Sequence, residues 1–522
     1  MTGSTSDPSA FYGSRGRLAL AVAVSTLVVG ALTLLVFLMR AGGDPGDAAT
    51  WPITWELRSS DNGTLFQFWQ DVAAGRALDW SFSPQVFVFP ELLLSGAAFF
   101  AAGGSLYVYY VVVAMLNQVV LFLLLAALAR HLWPEASPRA VTLRAGAGIL
   151  PLLLLPLVGT TWVFSFHLAP TYYVGMYLAL LAAPLLFLVR TLAVRVALVL
   201  AIGLTVASNP LTVLFAVPGA LAVAIAVLVR SGRRSLALPA LLVAAVGAIA
   251  VVGRLALGPL QGTGLLTYVD LERFRSRNDG LWPYWSFQMI DPAARVLLPL
   301  GALLAVGCLG AAVIAWVRLA GRTTDAGGRS FATLYFGLVP LGGLAATVIA
   351  LITHQYYFWP VLVLPFVLVL LAVPVRAVEP VVVGGAAALL VLGVATGGVT
   401  NLASAGGYVG YRSAETRCLD EVVPGQVGFA TFSDARRIGL PSATGIRLIP
   451  VTADLAPNLW LTNRAYALES GTFFYVNESG DERALDGDAL RARFGRPDRV
   501  VACSEGQRLW IYDEPLTVGA DE

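Results

Sequence analysis

The sequence predicts an α-helical polytopic membrane protein, with about 11 transmembrane helices and a small extracytoplasmic α/β domain at its C-terminal end. Three observations predict it. Of the 522 residues, 57% are hydrophobic and only 13% charged, against roughly 25% charged in soluble domains, and mean hydropathy is +0.75. Apolar runs recur through residues 18–397, and arginines collect in alternate connections between them, as the positive-inside tendency requires. From about Thr400 onward the chain takes on the patterning of a soluble domain. All 34 basic residues are arginine and net charge is +2, a balance that suggests no nucleic-acid partner.

Residues 1–17 read as a cytoplasmic N-terminus, because Arg15 and Arg17 precede the first span, Leu18 to Met39. That span is long for a signal-peptide core and lacks a small-residue cleavage site, so it is expected to be retained. Further spans fall at 106–129, 146–164, 171–189, 196–208, 211–229, 235–257, 296–317, 331–352, 358–375 and 380–397. Arg130, Arg139 and Arg144, Arg190 and Arg195, Arg230, Arg233 and Arg234, Arg318, Arg322 and Arg329, and Arg376 then all face the cytoplasm. The apolar stretch 86–102, with Pro84 and Pro90 at its start, reads as a re-entrant or interfacial helix; this leaves eleven spans and an outer C-terminus. Ionisable residues within the spans are nearly absent, Arg254 being the main one, which argues against a proton- or ion-coupled carrier.

Residues 398–522 read as the outer α/β domain. Val427–Phe432, Ile446–Val451, Thr472–Val476, Val500–Ala502 and Leu509–Tyr512 are strands, with a hairpin turn at Glu505-Gly506-Gln507. Ser433–Gly439 and Asp486–Phe494 are short helices, the second stopped by Gly495 and Pro497. Cys308 lies in a span as an apolar filler, whereas Cys418 and Cys503 stand at the two ends of the outer domain and are expected to form a disulfide.

Polar residues concentrate in two outer loops, 41–105 and 258–295. In the first, the turn Ser59-Ser60-Asp61-Asn62-Gly63-Thr64 leads into an aromatic-rich helix. Ser60 or Asp61 is its expected N-cap and Gly75 its stop, and its broad apolar side suits the interface plane. Helix capping is one role for Asp61; catalysis is the other. In the second loop Arg273, Arg275 and Arg277 run against the positive-inside tendency, and outer guanidinium groups suit phosphate or carboxylate partners. Pairing with Asp270, Glu272 and Asp279 on a solvated loop is the alternative. No Cys/His cluster has metal-ligand spacing, and no nucleophile elbow or phosphate loop is present.

Around Asp61 the chain resembles the GT-C superfamily of membrane glycosyltransferases, which includes protein O-mannosyltransferases, aminoarabinose transferases and arabinofuranosyltransferases. Asp61 matches the acid of the first outer loop, 63–76 the interfacial helix, and Phe89-Pro90-Glu91 the Pro segment before the second span. His354-Gln355-Tyr356-Tyr357-Phe358-Trp359-Pro360 resembles the aromatic-Pro motif of a late span. The family often has a second acid directly after the first; here Asn62 stands there, a departure that bears on any divalent metal, Mg or Mn, held by paired acids.

The resemblance implies transfer of a sugar from a polyprenyl-phosphate donor to a glycan, lipid or protein acceptor at the outer face of the bilayer. Asp61 would take the acceptor proton, and Arg273, Arg275, Arg277 and His354 would hold the donor phosphate. Asp71, Asp79, Trp80, Glu91, His167, Trp282, Tyr284 and Trp285 are candidates for the substrate cavity, the aromatics serving as sugar platforms or as interface anchors. The competing readings are a flippase or transporter of lipid-linked sugars and a non-catalytic envelope-assembly protein.

Overall fold

The computed structural model describes residues 8–40, 61–158, 166–171, 174–232, 236–262, 292–321, 328–349, 359–372, 374–395, 410, 412–477 and 485–518. In chain order the helices of the first part are α1 (Pro8–Arg40), α2 (Gly63–Ala73), α3 (Leu93–Ala101), α4 (Leu106–Leu132), α5 (Pro138–Val158), α6 (Val174–Ala182), α7 (Leu185–Leu188), α8 (Leu192–Ser208), α9 (Leu211–Ser231), α10 (Ala237–Ala256), α11 (Pro292–Ala320), α12 (Gly328–Gly337), α13 (Val339–Ile349), α14 (Trp359–Ala372) and α15 (Val375–Ala395). A two-residue strand, β1 (Trp80–Ser81), follows α2, and a π-turn at Val88–Leu92 leads into α3.

Seven of these helices are long and apolar enough to cross a bilayer: α1, α4, α5, α9, α10, α11 and α15, within the bounds Gly16–Met39, Leu106–Leu132, Pro138–Leu157, Leu211–Ser231, Ala237–Ala256, Arg295–Ala320 and Val375–Ala395. The apolar stretches Val88–Ala101, Val174–Leu188, Leu192–Ser208 and Val363–Ala372 are shorter. Two expected spans are broken. The stretch 171–189 divides into α6 and α7 at Pro184, and 331–352 divides into α12 and α13 at Leu338, two residues before Pro340. Proline has no N–H for the helix ladder and disfavours helical geometry at the residue before it.

The bundle core joins Val36, Leu121, Leu128, Leu152, Met176, Phe215, Phe336, Leu370 and Leu389, all buried. Large apolar side chains also stand exposed on the outside of α1 (Leu27), α8 (Leu192), α10 (Leu255), α11 (Leu303) and α15 (Val391). Such contiguous apolar faces mark lipid contact in a helical membrane protein. Small residues bring helices close: a Cβ on Gly219 would lie 2.4 Å from the Tyr335 carbonyl oxygen, and one on Gly342 would lie 2.5 Å from the Phe215 Cα. Helix α9 therefore packs on α12 and α13 by direct backbone approach, as membrane helices commonly do.

The C-terminal part contains α16 (Ala414–Val422), β2 (Val427–Thr431), β3 (Arg447–Val451), β4 (Thr462–Asn463), β5 (Gly471–Asn477), α17 (Gly487–Phe494), β6 (Arg499–Ser504) and β7 (Gln507–Leu516). Five strands form one sheet in the order β3-β2-β5-β7-β6. β2 runs parallel to β3 and β5, while β5–β7 and β7–β6 are antiparallel. The five strands and the β6–β7 hairpin lie where the apolar runs predict them.

Strand β5 shows why this sheet is covered on both sides. Phe473 and Tyr475 join Leu419, Ile438, Leu448 and Leu509 on one face, and Phe474 and Val476 join Ile449, Leu490 and Trp510 on the other. Alternating side chains that are apolar on both faces require two covering layers. Cys418 of α16 and Cys503 of β6 form the expected disulfide, with Cα atoms 5.5 Å apart, and Cys308 is free and buried.

Candidate functional site

The sheet domain docks onto the segment that follows α1, and the contacts that hold it there also shape the candidate site. β1 pairs antiparallel with β4, Trp80 opposite Asn463 and Ser81 opposite Thr462. Next to this pairing the Arg464 amide donates to the Asp79 carbonyl at 2.6 Å, and its guanidinium reaches the Asp79 carboxylate at 2.7 Å and the Pro259 carbonyl at 2.8 Å. At the C-terminal ends of α8 and α10 Arg254 ties the Pro84 and Ala207 carbonyls, at 2.7 and 3.3 Å, to the Gln261 side chain at 2.8 Å. Arg254 is thus a clamp at the mouth of the bundle.

Helix α2 lies inside this junction. Leu65 and Phe66 are fully buried, Phe66 meeting Phe99 and Tyr109 edge-on at 5.2 and 5.1 Å between ring centroids. Leu440 of the sheet domain packs into the same cluster, so protein covers the apolar side expected to lie in the interface plane. The helix stops before Gly75, which has a φ of +64°, as the sequence predicts. Its N-cap differs: Asn62 occupies that place and makes no side-chain cap. The buried Asn62 amide oxygen instead accepts from the Thr171 hydroxyl at 2.8 Å.

The Asp61 side chain is therefore released from capping. No hydrogen bond reaches its carboxyl among the described residues, and the residue is half-buried. Burial pushes its pKa up to about 6, and the positive charge of Arg436 opposes that shift. Arg436 arrives from the turn after β2 and is 2% exposed. Its Nη2 donates to the Leu461 carbonyl at 2.5 Å and to the Thr462 hydroxyl at 3.4 Å, while Nε and Nη1 have no partner. Burial pulls the guanidinium down to about 10, with Tyr466, Asp71, Asp61 and Tyr110 acting in the opposite sense. Its carbon stem covers the start of α2, since a Cβ on Gly63 would lie 3.7 Å from both Arg436 Cβ and Cδ. The Trp80 and Phe432 rings flank the cation, 5.7 and 5.5 Å from its centre.

The other expected site residues fall into two groups. Asp71 is fully buried and accepts from Arg76 at 2.9 Å, from Asn463 at 2.9 Å and from the Tyr466 hydroxyl; with Asp79, it latches the sheet domain in place. Trp80 is fully buried against Phe68 and Phe82, and its indole Nε1 has no partner among the described residues. Glu91 accepts from the Gly175 amide at 2.9 Å near the start of α6, where a carboxylate complements the helix end. The buried His167 Nε2 donates to the Leu152 carbonyl at 2.7 Å. Arg273, Arg275, Arg277, Trp282, Tyr284, Trp285 and His354 lie outside the described residues.

The sequence reading missed Arg436, although a signal exists: two arginines interrupt the apolar run Ala435-Arg436-Arg437-Ile438-Gly439-Leu440. Among the described residues, the groups around Asp61 do not make a ligand set for a divalent metal. Asn62 Oδ1 is turned to Thr171, Asp71 is fully engaged, and a cation stands beside Asp61. No three His, Cys, Asp or Glu side chains converge among the described residues.

No protein-family model and no curated protein sequence matches the chain.

Proposed function

We propose that the protein is a membrane glycosyltransferase that moves a sugar from a polyprenyl-phosphate donor to a cell-envelope acceptor, with Asp61 as the base. The observation that carries this reading is the Asp61 carboxyl: half-buried in the junction, without a hydrogen bond among the described residues, raised to about 6 and set near the buried Arg436 cation. A carboxylate with that proton affinity is ionised at neutral pH and close enough to the working pH to accept a proton. Asp61 takes the proton from the acceptor hydroxyl, whose oxygen bonds to the anomeric carbon. The bond from that carbon to the phosphate oxygen breaks, and the lipid phosphate leaves with the electron pair. Arg273, Arg275, Arg277 and His354 are proposed to hold that phosphate.

The reading has eleven spans, a cytoplasmic N-terminus and the sheet domain outside the cytoplasm. In its support, segments assigned to the outer side by arginine position converge at one end of the bundle: 61–105, 166–171, 258–262 and the sheet domain. Arginines assigned inside also meet: Arg144 and Arg329 flank Trp133 at 4.0 and 4.1 Å, and Arg139 pairs with Glu379. Profiling the envelope glycans and lipids of a deletion strain tests the function. The expected result is loss of one glycosylated product and accumulation of its lipid-phosphate sugar; unchanged profiles would remove the reading.

A further inference from the structure

Asp61 and Arg436 feel each other's charge, yet no hydrogen bond joins them. A buried guanidinium ordinarily takes every available acceptor, because desolvated donors without partners are costly. Here Nε and Nη1 of a side chain only 2% exposed are left without one. The start of α2, which the Arg436 stem touches, has no side-chain cap, and the first turn of a helix favours anions. Thr64 Oγ1, one residue into that helix, and Trp80 Nε1 beside the cation are likewise buried without a partner.

From this arrangement we infer that Arg436, carried by the sheet domain, is a ligand for a phosphate oxyanion bound beside Asp61 at the N-terminal end of α2. The titratable groups around Arg436 are the carboxylates Asp61 and Asp71 and the neutral phenols Tyr466 and Tyr110. Asp71 is already engaged by Arg76, Asn463 and Tyr466, so Asp61 is the carboxylate next to the anion. The inference rests on the transferase reading for the identity of the phosphate, a leaving group held next to the base. It makes the sheet domain part of the site rather than an appendage: undocking the domain withdraws the cation.

The test measures binding to the purified full-length protein in lipid nanodiscs, with a polyprenyl monophosphate, the matching neutral polyprenol and inorganic phosphate as separate probes. Wild type is expected to prefer the lipid phosphate to the polyprenol. Arg436→Gln is expected to lose roughly 10- to 100-fold in that affinity, the worth of charged hydrogen bonds, and Arg436→Lys part of it. Asp61→Asn should bind at least as tightly as wild type, because a like charge is gone. An Arg436-dependent affinity confined to the lipid phosphate assigns the site to a lipid headgroup; equal dependence for inorganic phosphate assigns it to the free anion; both support the site. If Arg436→Gln fails a thermal unfolding check, Arg436→Lys decides alone. Wild-type preference for the lipid phosphate with undiminished binding by the folded Arg436 variants overturns this inference and leaves the transferase reading intact. Absence of any preference in wild type overturns both.

Discussion

Replacing Asp71 by alanine is expected to loosen the docking of the sheet domain far more than it disturbs the sheet itself. The Asp71 carboxylate is fully buried and receives three donors, two of them from the sheet domain: Asn463 Nδ2 at 2.9 Å and the Tyr466 hydroxyl. Burial and the neighbouring Asp71 charge push the Tyr466 phenol upward, so it acts as a donor throughout the physiological range. Removing the carboxylate strands the Tyr466 hydroxyl and one Asn463 N–H, the other still reaching the Ala77 carbonyl at 2.6 Å. It also breaks the 2.9 Å ion pair with Arg76, which among the described residues keeps only the Tyr466 hydroxyl at 3.3 Å. A stranded buried donor costs about 1–3 kcal/mol and breaking a buried charged pair about 3–5 kcal/mol. Because Arg76 is partly exposed and water can reach it, the docking loss is set at about 3–5 kcal/mol in total. Opening of the junction should then become roughly 100- to several-thousand-fold more frequent. Hydrogen exchange at the Arg464 amide, bonded to the Asp79 carbonyl in the docked state, reads that opening. The Phe474 amide in the middle of the sheet is the control and should change little. Tyr466→Phe should give a smaller effect, about 1.5–3 kcal/mol for one hydrogen bond to a charged group. Wild-type exchange at Arg464 in Asp71→Ala would refute the latch.

Three further outcomes follow from the same contacts. Reducing the Cys418–Cys503 bridge, which closes a loop of 85 residues, should cost the sheet domain about 4 kcal/mol, read as a lower denaturant midpoint that Cys418→Ser reproduces. Gly175→Ala would put a Cβ 2.4 Å from Pro90 Cδ and 2.7 Å from Glu91 Oε1, and should destabilise the detergent-solubilised protein by about 1–3 kcal/mol in a thermal melt. Turnover should fall as pH drops through about 6, where Asp61 takes up a proton, and Arg436→Gln should move that limb upward because Arg436 opposes the shift. The sign for stability is the reverse: the folded state holds this proton more tightly than the unfolded chain, so the Asp61 contribution is present at low pH and lost as pH rises from 3.8 to about 6.

Local features were legible in the sequence and junctions were not. Apolar length located the bundle helices, and unbroken apolar runs such as Thr472–Val476 located strands buried on both faces. Cys418 and Cys503 were legible as a pair because they are the two cysteines of the C-terminal part, and their Cα atoms lie 5.5 Å apart. The breaks at Pro184 and near Leu338 were visible as prolines, yet the apolar runs continue across them and hide the interruption. The β1–β4 pairing involves two residues on each side, too few to leave a periodic signal, and it joins positions almost 400 residues apart. Asp61 was marked by its polar turn, whereas its counter-charge comes from Arg436 in another domain. Asp71 and Asp79 stand out in the sequence for the same reason as Asp61, as acids in the polar loop, whereas their partners Asn463 and Arg464 lie far along the chain and leave no local signal.

The central claim is that Asp61 is the base of a sugar transfer, and Asp61→Asn tests it most directly. The variant, expressed in the deletion strain at wild-type levels and with a wild-type thermal melt, should fail to restore the missing glycosylated product. With the isolated lipid-phosphate sugar as donor, its turnover should fall by about 100- to 10,000-fold, the range that general-base catalysis contributes. Binding of the lipid phosphate itself should persist. Full restoration of the product, or turnover equal to wild type, would contradict the assignment of Asp61.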